Sequence, residues 1–158
     1  MRNSFNPCLN TIHGESMNRH YPKIPIPAVG IIIYRDKKVL IIKRAYEPSK
    51  NRWSIPGGVV EIGEKVRHAA IREVKEELGL DVHIKDVVDV LDNIVYEKNK
   101  IKFHFVLIDF LATVIKGTIT PNHECLDVKW VGKHELGLYD LTNGAKKAIE
   151  KGFTMVKD

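Results

Sequence analysis

The feature that most constrains the fold is residues 65–78, KVRHAAIREVKEEL, which lack Gly and Pro, favour helix formers and place Val66, Ala70, Val74 and Leu78 at steps of four. Gly79 supplies a C-terminal stop, so this stretch reads as one helix with one apolar stripe. A stripe of that kind needs an apolar surface to cover, and the flanking sequence reads as strand. AVGIIIY (28–34) and VLIIKR (39–44), joined by an RDKK turn, predict a hairpin with a buried strand pair. NRWSIPGG then carries the chain through a Pro-Gly-Gly turn towards the helix. Beyond the helix, DVHIKDVVDVLDNIVYE and KIKFHFVLIDFLATVI are β-branched and aromatic and meet around residues 98–100. KGTITPNHE is a loop, CLDVKWV a further strand, and LTNGAKKAIEKGF a C-terminal helix. Strands precede, flank and follow the central helix, which predicts an α/β (α+β) domain built on a mixed sheet covered by helices.

At 158 residues the chain is long enough for one substantial core. The opening MRNSFNPCLNTIHGESMNRHYPKIP has no apolar period, so residues 1–24 are expected to be a poorly ordered extension and 25–158 the domain; Met17 is a second candidate start. A net charge of +5 and a pI near 9.1 favour anionic partners, but the basic residues are scattered, so on charge alone a nucleotide fits as well as a nucleic acid. Cys8 and Cys125 lie in no metal-ligand pattern, which suits a reducing cytosol. With no apolar run of ~18 residues and no secretory h-region, a cytoplasmic protein without a membrane partner is expected.

Glu73, Glu76 and Glu77 stand at i, i+3 and i+4 on the helix, beside the apolar stripe. Like charges at that spacing cost a few tenths of a kcal/mol each, so a cation is expected to compensate them. The ligands on offer are oxygens, with no Cys or His interleaved, which points to a hard divalent ion such as Mg²⁺ or Mn²⁺. Arg72, four residues before Glu76, can orient its carboxylate. Glu64 precedes the helix, and Gly57, Gly58 and Gly63 leave the backbone open to a ligand. Taken alone, REVKEEL reads as a solvated face; the whole spacing argues for a site.

That spacing resembles the Nudix box, G-x5-E-x7-R-E-U-x-E-E-x-G-U with U a bulky apolar residue. The match runs Gly58, Glu64, Arg72, Glu73, Val74, Glu76, Glu77, Gly79 and Leu80, with no departure at a fixed position. The resemblance implies the Nudix fold, a mixed sheet sandwiched between helices, and hydrolysis of a nucleoside diphosphate linked to another moiety. It implies that Glu73, Glu76 and Glu77 hold metal, with Glu64 and Gly58 contributing, that Arg72 orients, and that more than one ion takes part. A further glutamate outside the box serves many relatives as base or extra ligand, and Glu124 stands at the matching place; the other reading is an exposed loop acid. His123 beside it ranks lower. Arg44 and Arg52 are candidate phosphate contacts or plain surface charges, Tyr46 either stacks on a base or caps the core, and Trp53 is expected to pack.

The C-terminal half is similar to small Nudix proteins grouped with ADP-ribose pyrophosphatases, which implies AMP and ribose 5-phosphate as products. A proline often found past the box in that group is missing between Pro56 and Pro121. Tyr96, sixteen residues past Leu80, is similar in place to a tyrosine of diadenosine polyphosphate hydrolases. A house-cleaning nucleoside triphosphate pyrophosphatase is a third reading, and a non-cleaving Nudix-fold nucleotide sensor a fourth that the intact acids disfavour. A nucleic-acid partner is the less favoured reading, with an RNA 5′-end pyrophosphohydrolase left open by the basic balance, and the resemblance leaves a homodimer open, since many relatives form one.

Overall fold

The computed structural model describes residues 9–12 and 15–156, with side chains from residue 19 onward. Met1 and Cys8 lie outside the described residues, as does part of the 1–24 segment. Within that segment, Leu9–Ile12 (β1) and Glu15–Asn18 (β2) pair antiparallel. Its last residues run along the domain: the Tyr21 N–H donates to the Lys102 carbonyl at 2.8 Å, and the His20 and Phe103 rings lie 4.7 Å apart.

The domain is a mixed sheet between two helices. Its strands are Ile26–Arg35 (β3), Lys38–Arg44 (β4), Trp53–Ser54 (β5), Gly57–Val59 (β6), Asp81–Glu97 (β7), Lys100–Lys116 (β8) and Cys125–Gly132 (β9). The helices are Val66–Leu78 (α1) and Asn143–Met155 (α2), with a 3₁₀ turn over Lys133–Leu138. Strand β3 runs parallel to β8 from Ile26↔Phe105 to Tyr34↔Thr113, and the other pairings are antiparallel.

Alternation along β3 and β4 explains why both strands read as continuous apolar runs. Val29, Ile31, Ile33, Leu40 and Ile42 pack with Ala69, Ala70, Val74 and Leu78 of α1. Ile32, Val39 and Ile41 pack on the opposite face with Ala145, Ala148 and Ile149 of α2. A strand covered on both faces has no polar side to show.

The expected β3–β4 hairpin is correct at its tip and differs beyond it. Asp36 and Lys37 both take positive φ, 51° and 61°, as a two-residue turn requires, but only Tyr34↔Val39 and Arg35↔Lys38 pair. Past that point the strands splay. Because β8 occupies the other edge of β3, the segment 53–59 inserts on the free edge, with β6 on β3 and β5 on β4. The Gly57-Gly58 pair expected as a turn is therefore strand. A Cβ on Gly57 would lie 2.1 Å from the Val29 carbonyl oxygen, so the close pairing demands glycine. The second helix begins two residues later than expected, where the Thr142 hydroxyl accepts the Ala145 N–H at 3.3 Å.

Among the described residues no helix is long and apolar enough to cross a membrane. Gly79 closes α1 in the left-handed region at φ 71°, its N–H donating to Lys75 O at 2.9 Å. Gly79→Ala should lower stability by roughly 1–2 kcal/mol, the cost of a side chain in that region, as read from the urea midpoint.

Candidate active site

Helix α1 carries its acids onto the edge of the inserted segment. Glu73 and Glu77 are buried, 7% and 3% exposed, whereas Glu76 stands at the rim. A Cβ on Gly58 would fall 2.2–2.4 Å from the carboxylate atoms of Glu73, so only glycine lets β6 lie this close to α1. Arg72 organises the group. Its Nε and Nη2 donate to the two oxygens of Glu64 at 2.8 and 2.9 Å, its Nη1 to Glu73 at 2.7 Å and to Glu76 at 3.2 Å, and Nη2 also to the Val59 carbonyl at 3.0 Å. The sequence suggested Glu76 as its partner; the tighter contacts are with Glu64 and Glu73. These hydrogen bonds hold the Glu64 carboxyl below its ordinary value and raise the Arg72 guanidinium above its own.

The free carbonyls at the end of α1 place the fourth glutamate. Thr120 N–H donates to Leu78 O at 2.8 Å and Asn122 N–H to Glu77 O at 2.9 Å, which ties the loop 117–124 to the helix end. Asn122 Oδ1 then accepts the Glu124 N–H at 2.9 Å, and the Ala45 N–H donates to Glu124 O at 3.0 Å. Glu124 thus faces Glu77, with Arg44 between them electrostatically. Burial pushes Glu77 well above the usual carboxylate range; Glu73 and Glu124 add to the rise, while Arg44 and the Gly57 N–H oppose it. Burial raises Glu73 as well, against the pull of Arg72. Arg44 is itself lowered by burial, and its Nε is held by the Pro48 carbonyl at 2.8 Å. Burial also pushes the neighbouring Cys125 thiol up to about 12.

This donor set consists of oxygens alone and gathers five carboxylates, Glu64, Glu73, Glu76, Glu77 and Glu124, around Arg72 and Arg44, so its chemistry fits a hard divalent ion. As the side chains stand, no three His, Cys, Asp or Glu residues among those described converge closely enough to hold an ion between them. Arg72 and the Gly57 N–H hold the carboxylates in separate contacts.

The acids form one end of a cavity of about 480 Å³. Gly58, Glu73, Glu76, Glu77, Glu124, Arg44, Tyr46 and Arg52 all line it, while Arg72 and Glu64 stand behind. The Arg52 guanidinium is engaged by Asp140 at 3.0–3.2 Å and by the Leu141 carbonyl at 2.7 Å. Tyr46 meets His123 edge-on at 6.0 Å. Trp53 packs against Tyr139 at 5.2 Å, and Tyr96, 67% exposed, is away from the cavity. Arg19 and Asp109 are among the lining residues that were not singled out from the sequence. Arg19 stands close enough to Arg44 to lower it further, and its buried Nε has no partner among the described residues. Asp109 is 3% exposed on β8, and the sequence signal was present: one acid inside the apolar run FVLIDFLA.

Burial, with a lesser push from Asp89, raises the Asp109 carboxyl from 3.8 to about 7. Asp89 lies opposite on β7 and is paired with Lys151 of α2 at 3.1 Å; Lys147 of α2 lines the same cavity. The unfolded chain ionises this group near 4 and the folded chain near 7, so stability falls as pH rises between those values. Asp109→Asn removes that dependence. Between pH 5 and pH 8 its stability should gain on the parent by roughly 2–3 kcal/mol, measured by urea unfolding at each pH.

A family model, the NUDIX domain, matches residues 25–152. An ADP-ribose pyrophosphatase of Methanocaldococcus jannaschii is 33% identical over 126 residues, 80% of this chain and 68% of that protein. The nucleoside triphosphatase NudI of Escherichia fergusonii is 28% identical over 126 residues, 75% of this chain and 89% of that protein. The crystal structure of a MutT NUDIX hydrolase from Burkholderia pseudomallei aligns with a TM-score of 0.74 at 29% identity, covering 82% of this chain and 98% of that one. With a sheet between two helices, an intact run of box residues along one cavity edge and these matches, the chain belongs to the Nudix hydrolase family.

Proposed function

We propose that the chain cleaves the diphosphate of ADP-ribose to give AMP and ribose 5-phosphate. The observation that carries this reading is a single cavity with two unlike ends. Of the lining residues, Glu73, Glu76, Glu77 and Glu124 come from α1 and the loop before β9, whereas Gly30, Ile55, Asp109, Asn143 and Lys147 come from β3, from the link between β5 and β6, from β8 and from α2. A dinucleotide-like substrate has the same division: a charged diphosphate, then a largely uncharged nucleoside. The relative from Methanocaldococcus jannaschii, named as an ADP-ribose pyrophosphatase, supports the choice of that substrate.

Glu73, Glu76 and Glu77 would hold Mg²⁺ or Mn²⁺, with Glu64 fixed behind them by Arg72 and the Gly58 backbone alongside. Such ions neutralise a diphosphate and acidify bound water. Arg44 and Arg19 face the same end and reach phosphate oxygens as bidentate donors. Glu124 accepts the proton of the attacking water, and the loop 117–124 fixes its position through the end of α1. Arg52 holds Asp140 and the start of α2 in place. The buried free thiol Cys125 suits a reducing cytosol.

Glu77→Gln keeps the side-chain shape and removes a charge, so it should fold normally and lose roughly a thousandfold in turnover, equivalent to about 4 kcal/mol. Glu124→Gln should lose about a hundredfold; an unchanged rate would return Glu124 to an exposed loop acid. Substrate is read from product release across ADP-ribose, other nucleotide sugars, diadenosine polyphosphates and nucleoside triphosphates, with Mg²⁺ and then Mn²⁺. Preferred release of AMP from ADP-ribose is expected. Preference for triphosphates would move the chain towards the NudI-like activity, and binding without cleavage towards a sensor.

A further inference from the structure

We propose that Asp109 determines nucleoside specificity: its carboxylate accepts a hydrogen bond from an N–H or O–H donor on the base or ribose of the bound nucleotide. The inference deepens the reading above and rests on it, since it requires a nucleotide in this cavity. Asp109 is 3% exposed and lines the same cavity as the acids, two strands across the sheet from Gly57. No hydrogen bond or ion pair engages its carboxylate among the described residues, although buried carboxylates are nearly always partnered. An apolar side chain would suit the setting better, because Ile55, Leu91 and Leu107 line the same recess. The backbone nevertheless makes room for the acid. A Cβ on Gly30 would lie 2.2 Å from Asp109 Oδ1 and 2.8 Å from Ile55 Cδ1, so β3 carries glycine where the carboxylate rests.

Distance places this group on the nucleoside rather than the diphosphate. Gly57, Gly30 and Asp109 stand in register across three neighbouring strands. Two interstrand spacings therefore separate Asp109 from Gly57, roughly 10 Å. The Gly57 N–H is the one that meets Glu77, at 3.4 Å. A nucleotide whose diphosphate lies against the glutamates reaches back over that interval with its sugar and base. A carboxyl raised to about 7 is also easily kept in either protonation state, which suits a group buried until a donor arrives.

The substrate panel is run first, and the nucleotide that the parent protein cleaves best carries the test; a preference other than ADP-ribose counts against the substrate reading alone. KM and kcat, together with equilibrium binding of the matching nucleoside monophosphate in Mg²⁺, are then compared with analogues lacking one donor each: the base amine replaced by oxygen, the 2′-deoxy form and the 3′-deoxy form. The parent should bind at least one analogue about tenfold or more weakly, and that analogue identifies base or ribose as the source. Asp109→Leu should raise KM and Kd for the full nucleotide by about tenfold or more, with a much smaller change in kcat, and should lose the discrimination. Asp109→Asn, which keeps an acceptor oxygen, should recover most of the affinity. Equal affinity of the parent for all the analogues would overturn the proposal without any variant, as would full discrimination by Asp109→Leu.

Discussion

One guanidinium holds the acidic end of the cavity together. Arg72 spans Glu64 from the loop before α1, Glu73 and Glu76 from α1 itself and the Val59 carbonyl from β6, so three chain segments share one cation. Without it, Glu73 would bring buried negative charge to a helix face with little to offset it. Lysine could not replace it, because a point charge cannot reach planar acceptors in several directions at once. The glycine at position 58 belongs to the same arrangement, since the Arg72-bound carboxylate of Glu73 fills the space a side chain would need.

Burial then grades the acids that the helix presents. Glu77 lies deepest and its carboxyl is raised furthest, Glu73 is raised less, and Glu76 stands at the open rim. Arg44 faces this group from β4 and is itself partly desolvated, with Glu77 and Glu124 the nearest charges that sustain its positive form. The loop 117–124 completes the set because the last carbonyls of α1 need donors, and the same hydrogen bonds that satisfy them deliver Glu124.

The helix and its acids were legible because they are contiguous: residues 58–80 carry a period, a stop signal and a charge pattern in one line of sequence. The two long strands of β7 and β8 were legible for the same reason, through composition and a local turn at Lys98 and Asn99. What escaped depends on partners far along the chain. Gly57-Gly58 has the local signature of a turn, and only the free edge of β3 makes it a strand. Arg52 reads in the sequence as a phosphate contact or a plain surface charge, and nothing local announces that Asp140, 88 residues away, engages its guanidinium. Arg19 lies in a stretch with no periodicity, and nothing local shows that it returns to the cavity. Asp109 was visible as an acid in an apolar run, but its meaning depends on Gly30 from another strand.

The two ends of the cavity differ in how they are encoded. The acidic end comes mainly from one unbroken segment that folds on itself, whereas the recess is assembled from β3, β7, β8 and the start of α2, all of which lie outside residues 58–80. Substitutions in the recess can therefore accumulate one at a time without touching the register between α1 and β6. Under the proposed division of roles, a lineage built on this frame inherits its reaction as a block and its choice of substrate piecemeal, so chains that share the block faithfully can diverge in what they recognise.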